Sequence, residues 1–429
     1  MTVLPRQLVA DCGCDDASLT PGLISIDEAL QKIARHVAPV TQTQKSPIHT
    51  CRGRVLASAV LARADMPRFD HAAMDGYAIN HAALAGDGPW DLPVQGRVAA
   101  GDPRATIFAA TSTCRIFTGA PVPYPFDCVV MQERVERLGD MIRISKKPCI
   151  GENIRNRGEE HRLGAEIVPQ GAVLTPRAIA ACVAAGHGTV DIQARVRVTL
   201  LATGSEIAAA GTTDLSTGQI WDVNTPMLQA LLARPDVVVN DIIRIEDNAH
   251  SIQNAIQAAA IDSDLIVTTG GVSVGDEDHL RKAVGAAGGT HIFAGVGIKP
   301  GKPVALGKVG NAVWLGLPGN PGSAFVTWSV FGHPVLNRLS GRAEEQLARR
   351  TAVLGHEVRR KAGRCEIRAA RVVGTDGYGR DVVACSSTSN SGQICHFASS
   401  DGFAFLPSEL DHLPEGAVVA FLPFALSEI

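Results

Sequence analysis

VRVTLLATG (196–204), VVVNDIIRI (237–245) and DLIVTTGG (264–271) are short apolar runs rich in β-branched residues. Between them lie TPMLQALLA (225–233), which opens on Pro226, and SIQNAIQAAAI (251–261), both apolar at helical spacing. Apolar runs of this length read as strands covered on both faces, and strands alternating with helices make βαβ units on a mostly parallel sheet. FVTWSVFGHPVLNRL (325–339) closes the series as a further helix. An α/β domain is therefore expected over 196–340.

Working outward, 341–371 carries nine Lys/Arg against four Glu. From about 350 onward, short strand-like runs alternate with turns such as Pro414-Glu415-Gly416, so 341–429 is expected to be a small β-barrel or sandwich. Upstream, 46–160 is rich in Gly and Pro between short runs such as CRIFTG (114–119) and CVVMQERV (128–135), which predicts a β-rich domain. A helical segment flanks it on each side. ISIDEALQKIARHVAPV (24–40) has Ala29, Leu30, Ile33 and Val37 at helical spacing, with Ser25 three residues before Glu28 as in a capping box. LTPRAIAACVAAGHGTVDI (174–192) reads as a helix begun by Thr175-Pro176 and stopped by Gly186. Their likeness suggests one discontinuous linking domain, 22–45 with 161–195, and 1–21 reads as a disordered lead. The tally is a multidomain α/β plus β chain of four domains.

Composition limits the function. Of 429 residues, 45% are hydrophobic and 19% charged, which excludes wholesale disorder. Forty Lys+Arg against 43 Asp+Glu leave a formal net charge of −3, not the footprint of a general nucleic-acid binder, and 4% aromatics disfavour single-strand stacking platforms. No stretch approaches the roughly 18 apolar residues of a membrane span, and no run near the start suits a signal peptide. Ten cysteines are scattered; Cys12 and Cys14 form a C-x-C with no second pair at zinc-ribbon spacing. Free thiols in a reducing compartment, hence a cytoplasmic protein, are expected.

The chemistry-bearing segments sit where strands end. In DLIVTTGGVSVGDEDHL (264–280), Gly270 and Gly271 end a strand and precede Ser273 and the acids Asp276, Glu277 and Asp278. Glycines there let a ligand approach the backbone, and the acids suit Mg²⁺ beside a phosphate or, equally, the start of a helix. Glu206 follows the first α/β strand and Asp247 the second, so a parallel sheet would bring both to the edge of Asp278. Together the three suggest cation-assisted phosphoester chemistry; singly, each reads as a loop acid or cap. IKPGKPVALG (298–307) places Lys299 and Lys302 about a Pro-Gly turn, as an oxyanion clamp or an exposed basic hairpin. In GLPGNPGSAF (316–325), Asn320 is a candidate cap with Pro321 in the first helical position, leaving N–H groups for an anion. HAAMDGYAI (71–79) reads as an ordinary Asp-Gly hairpin turn, RIFTGAPVPYPFDCVVMQE (115–133) as a strand, a Thr-Gly turn stiffened by three prolines and a returning strand, and ENIRNRGEEHRLGAEI (152–167) as charged residues about a glycine; by composition each is a solvated loop sooner than a site.

Taken in order, MDGYA (74–78), TGAPVP (118–123), RNRGEE (155–160), ATGSEI (202–207), TTGGVSVGDED (268–278), IKPGKP (298–303) and GLPGNPGSA (316–324) closely resemble one family. It is the molybdopterin molybdenumtransferases of MoeA type, which include the E domain of gephyrin. The resemblance covers roughly 22–424. It implies an elongated homodimer of four-domain chains, the third domain folded like a molybdopterin adenylyltransferase. It also implies an active site between this third domain and the second domain of the partner. The implied reaction uses adenylated molybdopterin, molybdate and Mg²⁺, releases AMP and delivers molybdenum to the dithiolene sulfurs. Glu206, Asp247 and Asp278 match the family's cation and phosphate acids, and Asp75, Thr118 and Glu160 its partner-chain residues. Lys299, Lys302, Arg364 and Ser391 match its molybdate site. Pro318 and Pro321 match the pocket, and Gly270, Gly271, Ser273, Asn224 and Asn320 are further candidate contacts to the adenylated cofactor. A molybdopterin adenylyltransferase and molybdoenzyme maturation factors are the implied partners, with no nucleic acid and no membrane. Three departures stand out: Gly295 where a Lys is usual, Glu160 where Asp is commoner, and His71-Ala72 in place of Asn-Ser. Two other functions stay open, a cofactor-binding scaffold with weak insertion activity and an adenylyltransferase.

Overall fold

Alternation within single strands builds the three-layered α/β unit. In the computed structural model, which describes residues 22–102, 107–270, 279–343, 349–387, 392 and 394–424, Leu200 points to one core and Leu201 to another. Leu265 and Val267 likewise face one side and Ile266 the other. A strand with both faces covered has no polar side, which is why the sequence shows unbroken apolar runs here. The sheet order is Val237–Ile245, Val196–Thr203, Leu265–Thr269, Ala312–Leu317, Ala305–Val309 and Thr290–Ala294. The first four strands run parallel, and Ala305–Val309 is antiparallel to both its neighbours.

One face is covered by the helices Ala249–Asp262 and His279–Ala286 through Ile252, Ile256, Leu280 and Val284. On the other lie Asn224–Leu231, through Leu228, and the chain from Pro321 to Leu339. That last segment is a helix in two parts. Pro321–Thr327 and His333–Leu339 are α-helical, and Trp328–Gly332 between them widens to a π-turn just before Pro334, which has no N–H to donate.

The first helix, Ile26–His36, starts as its capping pattern predicts, with Ser25 Oγ accepting from Glu28 N at 3.0 Å. Its apolar face (Ile26, Ala29, Ile33) enters the same core as Val335 and Leu336. The second predicted helix spans Pro176–Ala184, with Thr175 Oγ1 accepting from Ala178 N. It packs in a separate core that joins Ile48, Leu56 and Val60 to Val168, Leu174, Val190 and Ile192. The strands Thr43–Pro47 and Thr189–Gln193 pair antiparallel beside it.

The β-rich segment forms a six-stranded sheet ordered Cys128–Met131, Gly76–Ile79, Thr113–Ile116, Trp90–Val98, Met141–Ile144 and Val135–Leu138. MDGYA is not the hairpin turn its composition suggests. Gly76 opens a central strand flanked by Thr113–Ile116 and Cys128–Met131, while His71–Ala72 pairs elsewhere, with Ile154–Arg155. A side chain at Gly76 would lie 2.0 Å from the Val130 carbonyl oxygen, so close strand approach fixes this glycine.

The C-terminal segment closes into a five-stranded barrel: Cys365–Thr375 pairs with both Asp381–Cys385 and Gly402–Leu406, and Arg350–Leu354 and Val418–Pro423 complete the ring. Closure removes exposed strand edges. One further strand joins the barrel from outside it: Ile298–Lys299, leaving the α/β unit, pairs in parallel with Cys365 and Glu366.

Candidate active site

Three groups of predicted residues emerge. The first lies at the C-terminal edge of the parallel strands, where ligands bind in open α/β sheets. The registers Thr203↔Ile245, Ala202↔Thr269 and Thr269↔Leu317 put Glu206, Asp247, Gly270 and Pro318 just past the ends of four adjacent strands. Backbones crowd here. A Cβ on Gly270 would lie 2.5 Å from the Thr203 carbonyl oxygen, and one on Gly319 would lie 3.2 Å from the Gly270 Cα. Asn224, buried at the start of its helix, donates from Nδ2 to the Gly319 carbonyl at 2.7 Å and so ties the 318–321 turn to the neighbouring helix. Among the described residues its Oδ1 is buried without a hydrogen-bond partner. Asn320 occupies the N-cap position and Pro321 follows at the helix start, but Asn320 makes no side-chain capping bond, contrary to the pattern. Glu206 and Asp247 are exposed.

Asp222 belongs to this edge as well and carries no motif that singles it out. Nearly fully buried, it accepts from Thr225 N at 2.9 Å and pairs with Arg244 at 3.3 Å, so it fixes the helix that presents Asn224. The available signal was an acid three residues before the Thr-Pro of a helix start.

The second group sits where the α/β unit meets the barrel. Lys299 and Lys302 flank a turn whose Gly301 packs against Thr327, on the helix that begins at Pro321. Arg364 Nη1 donates to the Ile298 carbonyl at 3.2 Å, which holds a third cation beside that turn. Gly295 has a φ of +92°, and a Cβ there would lie 2.8 Å from Leu23 Cδ2. The chain that enters the first helix has taken the space.

The third group lies in the β-rich unit. Asp75 Oδ1 accepts from both Thr118 N and Thr118 Oγ1, each at 2.8 Å. The Thr118 backbone bond, the Thr118 hydroxyl and then Arg115 hold the Asp75 carboxyl below the usual carboxylate range. Glu160 N donates to the Met66 carbonyl in the adjoining loop, and that loop is braced by Asp65, which accepts from Arg157 Nε at 2.6 Å and Leu163 N at 2.8 Å. Among the described residues, no hydrogen bond or ion pair joins Asp75, Thr118 or Glu160 to the other two groups within one chain. Gly271, Ser273, Asp278 and Ser391 lie outside the described residues, as do Cys12 and Cys14.

Family models match along the chain: the MoeA N-terminal region (domain I and II) over 24–186, a probable molybdopterin binding domain over 199–338, and the MoeA C-terminal region (domain IV) over 351–424. The chain is 31% identical over 404 residues to the molybdopterin molybdenumtransferase of Haemophilus influenzae, covering 94% of this chain and 99% of that one. It belongs to the molybdopterin molybdenumtransferase family. Molybdopterin molybdenumtransferase 2 of Mycobacterium tuberculosis is also 31% identical, over 86% of this chain and 92% of its own length. Among solved structures, the molybdopterin biosynthesis MoeA protein of Pyrococcus horikoshii superposes with a TM-score of 0.81 at 25% identity, covering 94% of this chain and all of that one.

Three buried cysteines are poorly suited to metal chemistry. The eight cysteines among the described residues are free, and burial pushes the Cys114 and Cys128 thiols up to about 12 and Cys385 to about 11. Such thiols stay protonated and are poor metal ligands. Among the described residues no helix is long and apolar enough to cross a membrane.

Proposed function

We propose that this chain inserts molybdenum from molybdate into adenylated molybdopterin with release of AMP. The observation that carries this reading is the adjacency of two unlike sites. Backbone stripped of side chains lies at the strand ends around Gly270 and Gly319, and a turn bearing Lys299 and Lys302 lies a short helix away, with Arg364 beside it. The first suits a phosphate brought close to main-chain N–H groups, with Asn224 holding the turn and Pro318, Asn320 and Pro321 shaping it. The second suits a tetrahedral oxyanion, which Lys299, Lys302, Arg364 and Ser391 would bind and orient. The thiolates that receive the metal are the substrate's own, consistent with the protonated, buried thiols of Cys114, Cys128 and Cys385.

Mg²⁺ fits the donors present. Glu206 and Asp247 are exposed, engaged in no side-chain hydrogen bond or ion pair among the described residues, and offer hard oxygens only. No cluster of three metal-ligating side chains occurs among the described residues, so Glu206, Asp247 and Asp278 would share the ion with substrate phosphates. When bound, it would neutralise charge on the phosphoanhydride. We assign Asp75, Thr118 and Glu160 to the site of a partner chain in a homodimer, since among the described residues their hydrogen bonds stay within the β-rich unit and its adjoining loop. A molybdopterin adenylyltransferase would supply the substrate and molybdoenzyme maturation factors would take the product, in the cytoplasm. A stand-alone adenylyltransferase is not favoured, because the likeness to molybdenumtransferases runs through the β-rich unit and the barrel as well as the α/β unit.

The test is AMP release from adenylated molybdopterin on addition of molybdate and Mg²⁺. Glu206→Gln and Asp278→Asn should each slow it by roughly a hundredfold or more. Adenylate that persists after molybdate addition would overturn insertion, and ATP consumption with unmodified molybdopterin would indicate adenylyl transfer instead.

A further inference from the structure

The strand pair joining the α/β unit to the barrel carries a buried carboxylate with no role in the reading above. Glu366 stands opposite Lys299 in the parallel pair, and its side chain is 2% exposed. Its Oε1 accepts from Arg368 Nε at 2.9 Å, and its Oε2 lies 3.8 Å from Arg360 Nη1 and 3.8 Å from Lys299 Nζ. The two arginines are buried and anchored by other bonds. Arg360 also donates to the Leu410, Arg364 and Ser408 carbonyls, and Arg368 to those of Ser386 and Ser387. Lys299 is different: its side chain is 48% exposed, and Glu366 is its ion-pair partner among the described residues.

A long, half-exposed lysine beside two fixed guanidinium groups is driven outward by like charge, and a single buried carboxylate reverses that force. We propose that Glu366 is a positioning residue for oxyanion capture. It holds the Lys299 ammonium inward, beside the Arg364 guanidinium that is fixed to the Ile298 carbonyl. This rests on the oxyanion role given above to Lys299, Lys302 and Arg364. The sign of the effect separates it from plain electrostatics. Deleting a negative charge near an anion site should tighten anion binding, whereas deleting the group that orients Lys299 should weaken it.

The experiment measures kcat and KM for molybdate in AMP release, with molybdate binding by calorimetry, for the full chain, Lys299→Met, Glu366→Gln and the double variant. Glu366→Gln should raise KM about tenfold with kcat changed less than about threefold, and Lys299→Met should do the same. The double variant should be no worse than Lys299→Met alone, about tenfold and not about a hundredfold, because one acts through the other. Breaking a buried ion cluster can unfold a protein. Glu366→Leu with Arg368→Met therefore removes the carboxylate together with its nearest guanidinium, and the same rise in KM is expected. An unchanged or lowered KM in either folded variant, or multiplicative effects in the double variant, overturns the positioning role. Lys299→Met with unaltered KM removes the oxyanion reading and this inference together; Lys299→Met impaired with Glu366→Gln intact removes the inference alone.

Discussion

A Cβ on Gly270 would lie 2.5 Å from the Thr203 carbonyl oxygen and 2.8 Å from its Oγ1, and the residue's φ is +89°. Gly270→Ala therefore combines a left-handed backbone with a backbone clash and should cost roughly 2–4 kcal/mol, read as a lowered urea midpoint. A glycine pair at a strand end was legible in the sequence as a place of close approach; which atoms approach was not, since the Thr203 carbonyl belongs to a neighbouring strand. Asp75 was less legible. Its Asp-Gly dipeptide has the composition of a turn, and only the pairing of Gly76 between two strands shows that the aspartate caps a strand end and faces Thr118. Thr118→Val removes the hydroxyl but leaves the backbone N–H bond to Asp75. It should change unfolding free energy by less than about 1 kcal/mol, while AMP release falls by roughly tenfold or more if the pair serves the reaction.

Among elements, the helix from Pro321 to Leu339 buries its later half against charged neighbours. Asp236 is nearly fully buried and pairs with Arg234 at 2.7 Å and Arg342 at 2.9 Å; burial alone would raise its carboxyl, but the two arginines outweigh it and hold it low. Close by, burial, then Arg234 and Arg342, push the His333 imidazole down to about 4. The folded chain thus keeps His333 neutral at a pH where the unfolded chain, titrating near 6.5, takes up a proton. Stability should fall as pH drops from about 6.5 to 4, by up to about 3 kcal/mol, and His333→Gln should flatten that slope in urea titrations. The contribution of Asp236 is lost only lower, as pH falls past the ordinary carboxylate range and through its depressed folded value. Ser25 and Thr175 cap the helices their sequence pattern predicts, because capping and periodicity are local signals. The π-turn at Trp328–Gly332 and the buried Asp222 are not so legible, since both answer to packing from elsewhere in the chain.

For the whole molecule, the alternation of strands and helices over 196–340 predicts the α/β sheet, and turn-rich composition predicts a barrel or a sandwich, of which the structure has the barrel. The addition of Ile298–Lys299 to the barrel is a long-range pairing of two residues each, too short to leave a periodic signal. Residues that would serve a partner chain's site, as proposed for Asp75, Thr118 and Glu160, are the least legible of all, because within one chain they look like solvated loops. A cross-chain site makes a sharp prediction. Asp75→Asn and Glu206→Gln chains, each inactive alone, should regain activity when coexpressed, since a mixed dimer holds one site free of both substitutions. Random pairing gives about a quarter of wild-type activity in a C₂ dimer; no recovery in verified mixed dimers would place both residues in one chain's site.

The left-handed backbone at Gly295 bears on how this sequence can change. The resemblance implies a lysine there, yet a side chain would meet Leu23 at 2.8 Å on a backbone with φ +92°. A substitution that restores the cation therefore meets backbone strain before any electrostatic benefit, and the end of the Leu23 side chain has to swing aside. A gain in anion affinity is therefore cheaper at the lysines and arginine already around the turn than at position 295, where a left-handed backbone must first be strained.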